Sequence, residues 1–445
     1  MTRIPHRLAS VVVLLVAFFG LQAAATSPVS AQDEASVPMA ADTVKAQESY
    51  KNTIAGELTP GKGFDVIRTE RGSLNLSVYG LFRWIDQTPG EQTFTDHLGR
   101  TRVVKARNDL NWHRSMIWVS GFFYDPRFSY RLTVWSLPTT QQALVFGLAS
   151  YRFNKAFTAS AGIAPNLTSR SMQGSWPYWG GSDRQMSEEF FRAGFSSGVF
   201  VAGEVLPRLA YNASVNTNLS QLGVTATNDE RDMAYSGNLT WLPSTGEFGP
   251  RQGFGDFEYH KQLATRVGIS GCTATEGRGA PVGQTNNETQ LRLSDGVYAF
   301  EEGALADTVT VKKLDYNYLG FDVGAKYRGF CILGEFYYRS LSNFQTTSPV
   351  AVNMIKDTGF QVQAMQMIVP KTLGVYATAG YVMDDFKRYP WEISGGASFY
   401  PSHTRAWRLN LHINHMEKSP TGSTFGYYTA GQTGTTFSLG TDILL

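Results

Sequence analysis

The chain has 445 residues, 44 of them Gly, with 28 Phe, 21 Tyr and 9 Trp, and a formal net charge of +2. Once the first 31 residues are set aside, losing Arg3 and Arg7 takes Lys+Arg from 39 to 37 against 37 Asp+Glu, so no global charge points to nucleic acid or an acidic polymer as partner. Beyond the N-terminus no stretch approaches the roughly 18 to 20 uninterrupted apolar residues of a spanning helix, which excludes a helical inner-membrane protein.

Arg3, His6 and Arg7 precede an apolar run from Ala9 to Leu21, followed by small residues. This reads as a secretory signal over 1–31, with Val29-Ser30-Ala31 as the cleavage site and a cut near Ala25 as the competing choice. Residues 32–72 are polar and lack strand alternation, with one short helix conceivable over Ala41 to Leu58. They read as a periplasmic leader, a disordered tail being the alternative.

From Ser73 to Leu445 the chain alternates apolar and polar residues with period two, the mark of strands that face two different environments. Sixteen strands are predicted, at 73–87, 114–125, 129–138, 143–154, 157–165, 190–205, 209–219, 232–244, 264–275, 316–329, 330–343, 357–370, 372–384, 391–402, 404–417 and 433–445. In the last, Phe437, Leu439, Thr441, Ile443 and Leu445 share one parity and Thr436, Ser438, Gly440 and Asp442 the other. In lipid every backbone polar group must be paired, so strands span only as a closed sheet, apolar outward and polar toward the lumen. The predicted fold is therefore all-β, a transmembrane antiparallel barrel over 73–445 in a bacterial outer membrane.

Connections after even strands are short, as at Asp125-Pro126-Arg127, Asn154-Lys155-Ala156, Arg328-Gly329 and Pro401-Ser402-His403; those after odd strands are longer, as at 88–113, 166–189 and 276–315. Short periplasmic turns alternating with long extracellular loops is the bacterial barrel pattern. Residues 245–263 break it, and a strand pair hidden there would raise the count to eighteen. Cys272 and Cys331 fall at opposite strand ends, far beyond the ~7 Å bridging limit, so two free thiols are expected.

Parity assigns the lumen. Arg83, Arg131, Arg192, Arg266, Lys326, Arg328, Arg339 and Arg408 fall on the inward side, against Glu204, Asp322, Glu335, Glu392 and Asp442. This cationic excess would favour anions by field focusing and bidentate contacts, unless the arginines are consumed in lumen salt bridges. His412 and His415 have opposite parity and no serine beside them forms a nucleophile motif, so no catalytic triad is predicted. No His, Cys or carboxylate spacing reads as a metal site, and no cofactor is expected.

The segment PNLTSRSMQGSWPYWGGSDRQMSEEFFRAGFSSGVFVAGE, Pro165 to Glu204, joins the fifth and sixth strands, where porins fold a loop into the barrel. With GSLNLSVYGLFRWI near residue 80, and with Asp183-Arg184, Phe190-Phe191, Gly194, Gly198 and Gly203, it resembles the phosphate-selective porin O/P family. The resemblance implies a trimeric porin in outer-membrane lipid with an inward loop, here carrying Arg170, Trp176, Trp179 and Arg184, and a basic constriction. That family's arginine ladder and lysine cluster do not map residue by residue, and the ending Asp442-Ile443-Leu444-Leu445 lacks a terminal aromatic. The expected function is passive diffusion of small hydrophilic solutes, anions such as phosphate being the expected class, without enzymatic activity. The alternative is a non-conducting barrel acting as an enzyme or structural anchor.

Overall fold

The computed structural model describes residues 63–137, 142–173, 179–220, 232–245, 248, 255–283, 290–422 and 426–445. The predicted signal segment and most of the leader, up to residue 62, lie outside the described residues. Among the described residues nineteen strands follow in chain order: β1 (Phe64–Thr69), β2 (Gly72–Thr88), β3 (Glu91–Thr95), β4 (Thr101–Lys105), β5 (Asn108–Phe123), β6 (Asp125–Leu137), β7 (Gln142–Asn154), β8 (Phe157–Pro165), β9 (Phe195–Leu206), β10 (Leu209–Asn216), β11 (Ala234–Trp241), β12 (Ala264–Gly277), β13 (Val311–Tyr327), β14 (Phe330–Thr346), β15 (Met354–Val369), β16 (Leu373–Asp384), β17 (Trp391–Phe399), β18 (Trp407–Glu417) and β19 (Gly434–Leu444). A six-residue helix, α1 (Met186–Phe191), precedes β9.

The main sheet holds seventeen strands, β1 and sixteen others. Those sixteen, β2 and β5 to β19, pair antiparallel in sequence order, and β19 closes on β2 with Leu439 opposite Trp84 and Ile443 opposite Gly80. Closure leaves no barrel edge open in lipid. The wall is apolar outside, where Leu319, Phe321, Val323, Leu411 and Ile413 are exposed, while Asp322, Arg408, Asn410, His412 and Asn414 are buried inside. No helix among the described residues is long and apolar enough to cross a membrane. β11 pairs directly with β12, so no strand pair is inserted between them and the barrel count is sixteen; among the described residues of 245–263 no strand forms.

The tight turns gather at one end. Several carry a non-glycine residue in left-handed backbone, among them Tyr124, Arg208, Arg328, Lys371 and His403. The opposite end carries the long connections, except that between β11 and β12, which lies at the turn end. One of them holds the separate hairpin of β3 and β4, with Gln92 opposite Val104.

Three elements differ from the sequence reading. Phe64–Thr69, placed in a strandless leader, forms β1 and pairs with the start of β2, Phe64 opposite Leu76. The reason is an unfilled edge: β2 extends beyond the end of β19, which stops opposite Tyr79, and β1 occupies that edge. Residues 190–194 do not open a strand, because α1 and its exit turn take them. Several strands also run further toward the loop end than predicted, with β5 starting at Asn108 and β13 at Val311. Both cysteines are free and buried, as expected.

Candidate functional site

The connection between β8 and β9 lies inside the barrel. Its described residues, 166–173 and 179–194, are all buried. The stretch is too polar to form an apolar core, and an unpaired buried polar group is costly, so its stability depends on bonds to the wall.

Those bonds run round much of the barrel. From β2, Arg83 donates to Ser182 Oγ at 3.2 Å and stands 3.6 Å from Asp183. From β5, Arg114 donates to Asp183 at 3.1 Å. On the opposite wall, Arg266 of β12 donates to Gln173 Oε1 at 3.1 Å, and Glu335 of β14 accepts from the Arg170 N–H at 3.1 Å. Glu392 of β17 accepts from the Met186 N–H at 2.6 Å, Thr378 of β16 donates to Gln185 at 2.6 Å, and Arg408 of β18 donates to the Trp179 carbonyl at 2.7 Å. Apolar contacts complete the seat. Phe191 stacks on Tyr337 with centroids 5.3 Å apart, over Gly359, where a Cβ would come within 2.4 Å of the Phe191 ring.

Charge inside the barrel is extensively paired. Arg266 reaches both oxygens of Asp322 at 2.6 and 3.1 Å, Arg339 reaches Asp357 at 3.2 Å, and Arg408 reaches Asp442 at 3.0 Å. Within the loop Arg192 grips Glu189 at 2.7 and 2.8 Å, and Arg184 lies 3.8 Å from Glu188 and 3.5 Å from Glu189. Bidentate guanidinium–carboxylate geometry fixes orientation as well as charge.

Arg83, Arg131, Arg266, Lys326, Arg339, Arg408, Asp322, Glu335, Glu392 and Asp442 are all buried on the inward face. Glu204 stands at the turn-end rim, bonded to Lys155 at 3.0 Å. Two predicted wall residues are elsewhere. Arg328 sits in the turn after β13, exposed and at φ +47°, its guanidinium over Tyr327: the strand ends at Tyr327, so parity no longer governs it. Arg192 caps the end of α1 and reaches the interior from the loop. Arg170, Trp179 and Arg184 lie in the inward loop, and Trp176 is outside the described residues.

Sequence reasoning missed Arg114, Asp183 and Asp357 as partners. His113 and Arg114 are both buried because the β2–β5 register shifts between Leu81 and Phe82, which inverts parity along β5. The signal was available: Trp112 and Ile117, both exposed, have opposite parity. Such a switch within one strand marks a bulge.

No protein-family model and no curated protein sequence matches the chain. Among solved structures, the outer-membrane expressed OmpT of Vibrio cholerae is 11% identical, with 86% of this chain and 100% of that one covered and a TM-score of 0.50. The trimer form of in-vitro folded OmpT from the same organism is 11% identical over 84% of this chain and 100% of that one, with a TM-score of 0.51. An anion-selective porin from Comamonas acidovorans is 12% identical, with 84% and 100% covered and a TM-score of 0.48. At such identities the likeness is one of fold. The chain shares with these outer-membrane proteins the fold of a closed antiparallel β-barrel.

Proposed function

We propose that the chain is a passive channel for small hydrophilic solutes, narrowed by the loop between β8 and β9. The observation that carries this reading is a polar loop held inside a sixteen-stranded barrel whose inner wall presents Ser77, Ser150, Ser160, Ser214, Asn238 and Thr240 beside the paired charges. A wall of hydroxyls, amides and ion pairs is a surface for hydrated solutes. We assign the turn end of the barrel to the periplasm, the opposite end to the cell exterior and the assembly to a homotrimer, in keeping with the porin family that the sequence resembles.

A preference for anions such as phosphate is the finer part of the proposal. The carboxylate pairing of Arg266, Arg339 and Arg408 neutralises much of the inward cationic excess, so the preference should be weak. Arg131, Arg170 and Lys326 are further basic groups buried inside the barrel and add to the positive side of that balance. Planar-bilayer recording of purified protein is the test: stepwise conductance and a small anion-directed reversal potential in a salt gradient are expected. Arg408→Ala should move that potential toward cations, and a cation-selective wild type would refute the anion preference alone.

The inward loop's bonds to both sides of the barrel favour a second reading, a non-conducting barrel that serves as an enzyme or structural anchor. Absence of conductance from folded protein would select it.

A further inference from the structure

We propose that, of the residues between β11 and β12, Phe248, residues 255–257 and His260 form a stopper seated in the turn-end mouth of the barrel. Its role as a gate rests on the channel reading above. At this end most strand pairs are joined by turns of a few residues, and nothing in barrel closure requires a longer connection. A surplus that served only as a linker would lie in solvent. Here instead Phe248, Asp256, Phe257 and His260 are all buried.

Two aromatic side chains enter the barrel wall's neighbourhood at different points. Phe248 packs in one apolar cluster with Met172 and Trp179 of the inward loop and with Cys331 and Leu333 of β14. Its ring lies 4.7 Å from the Lys326 ammonium and 5.2 Å from the Arg170 guanidinium. The stopper and the inward loop therefore meet. Phe257 packs edge-on against Tyr400 at 4.9 Å, in a cluster with Met365 and Met367, with the Arg405 guanidinium 4.7 Å over its face.

A polar latch fixes the segment to a neighbouring turn. The Asp256 carboxylate accepts from the Gly329 N–H at 2.7 Å and from the His260 N–H at 3.0 Å, and His260 Nδ1 bonds it as well. In return the His260 carbonyl accepts from the Arg328 N–H at 2.8 Å. Gly329, at φ +84°, lets Tyr259 lie close: a Cβ there would stand 2.8 Å from its ring. The turn between β13 and β14 is thus shaped to receive the segment. Phe248 lies between the inward loop and the wall of β13 and β14, so in this proposal a solute crossing beneath the loop displaces it against the hold of the Asp256 latch.

The protein carries its own reporter. Cys331 is an inward thiol in the Phe248 cluster, whereas Cys272 lies on β12 toward the loop end. In a Cys272→Ala background, full-length protein in detergent micelles is treated with a hydrophilic maleimide, and the rate at Cys331 is compared with that of Phe248→Ala and of Asp256→Asn. Single-channel conductance is recorded for each. Retained heat-modifiable migration establishes that each variant is folded. At least a tenfold faster labelling in both variants, with larger or longer openings, is expected. Labelling as slow as in the parent, in folded variants, overturns the stopper. Unchanged conductance in a conducting parent, despite faster labelling, overturns its gating role. Faster labelling with no conductance in any protein supports the seated segment and refutes the channel reading instead.

Discussion

Asp183 is the residue through which the inward loop is charged-bonded to β2 and β5. It is nearly fully buried, with the Arg114 guanidinium at 3.1 Å and that of Arg83 at 3.6 Å. Asp183→Ala leaves two buried guanidinium groups without that carboxylate, and removing one partner of a buried pair costs about 3 to 5 kcal/mol. At about 1.4 kcal/mol per factor of ten, local undocking should become roughly 100-fold to several thousand-fold more frequent. The remaining anchors, Gln173, Gln185 and Met186, bond to other strands, β12, β16 and β17, so the effect should be local. Amide hydrogen exchange of the folded barrel is the assay. Protection of residues 179–186 should fall by at least 100-fold, while that of β13 and β14 holds. Unchanged protection at 179–186 would show that the carboxylate does not dock the loop. An equal loss throughout the barrel would show that it serves global folding instead.

Three further outcomes follow from the same geometry. Burial alone would raise the Asp96 carboxyl, but hydrogen bonds from the Arg100 backbone and from the Arg102 and Arg100 side chains hold it at about 2. The stability it gives the β3–β4 hairpin is therefore fully present above the ordinary carboxylate value near 4 and is lost as pH falls toward 2; NMR titration of the hairpin amides should show a midpoint near 2, and one near 4 would contradict the hydrogen-bonded cluster. Gly359→Leu puts a side chain where the Phe191 ring lies, so the loop should detach near α1 and protection of 186–191 should drop; full protection would refute the close approach. A peptide tag inserted at Gly283, whose surroundings are open, should bind antibody on intact cells, while a tag at Lys371 should do so only after permeabilisation; the reverse result would invert the orientation.

Alternation by itself determined the wall of this protein. Leu409, Leu411 and Ile413 against Arg408, Asn410 and His412 fix inside and outside with no further information, because a strand's side chains can only alternate between lipid and lumen. The sixteen strands, the tight-turn end and the free cysteines follow from the same local rule. Tertiary structure alone decided who pairs with whom. Parity brings Arg83 inward but cannot reveal that Asp183 of a distant loop meets it, nor that the β5 bulge turns Arg114 to the same carboxylate. Nor does a polar run such as 245–263 announce that Phe248 and Phe257 are buried at the barrel's mouth. Irregular segments have no period, and their seats are set by which buried polar groups they can satisfy and which apolar side chains they can cover, properties of the closed barrel and of no stretch of the sequence alone.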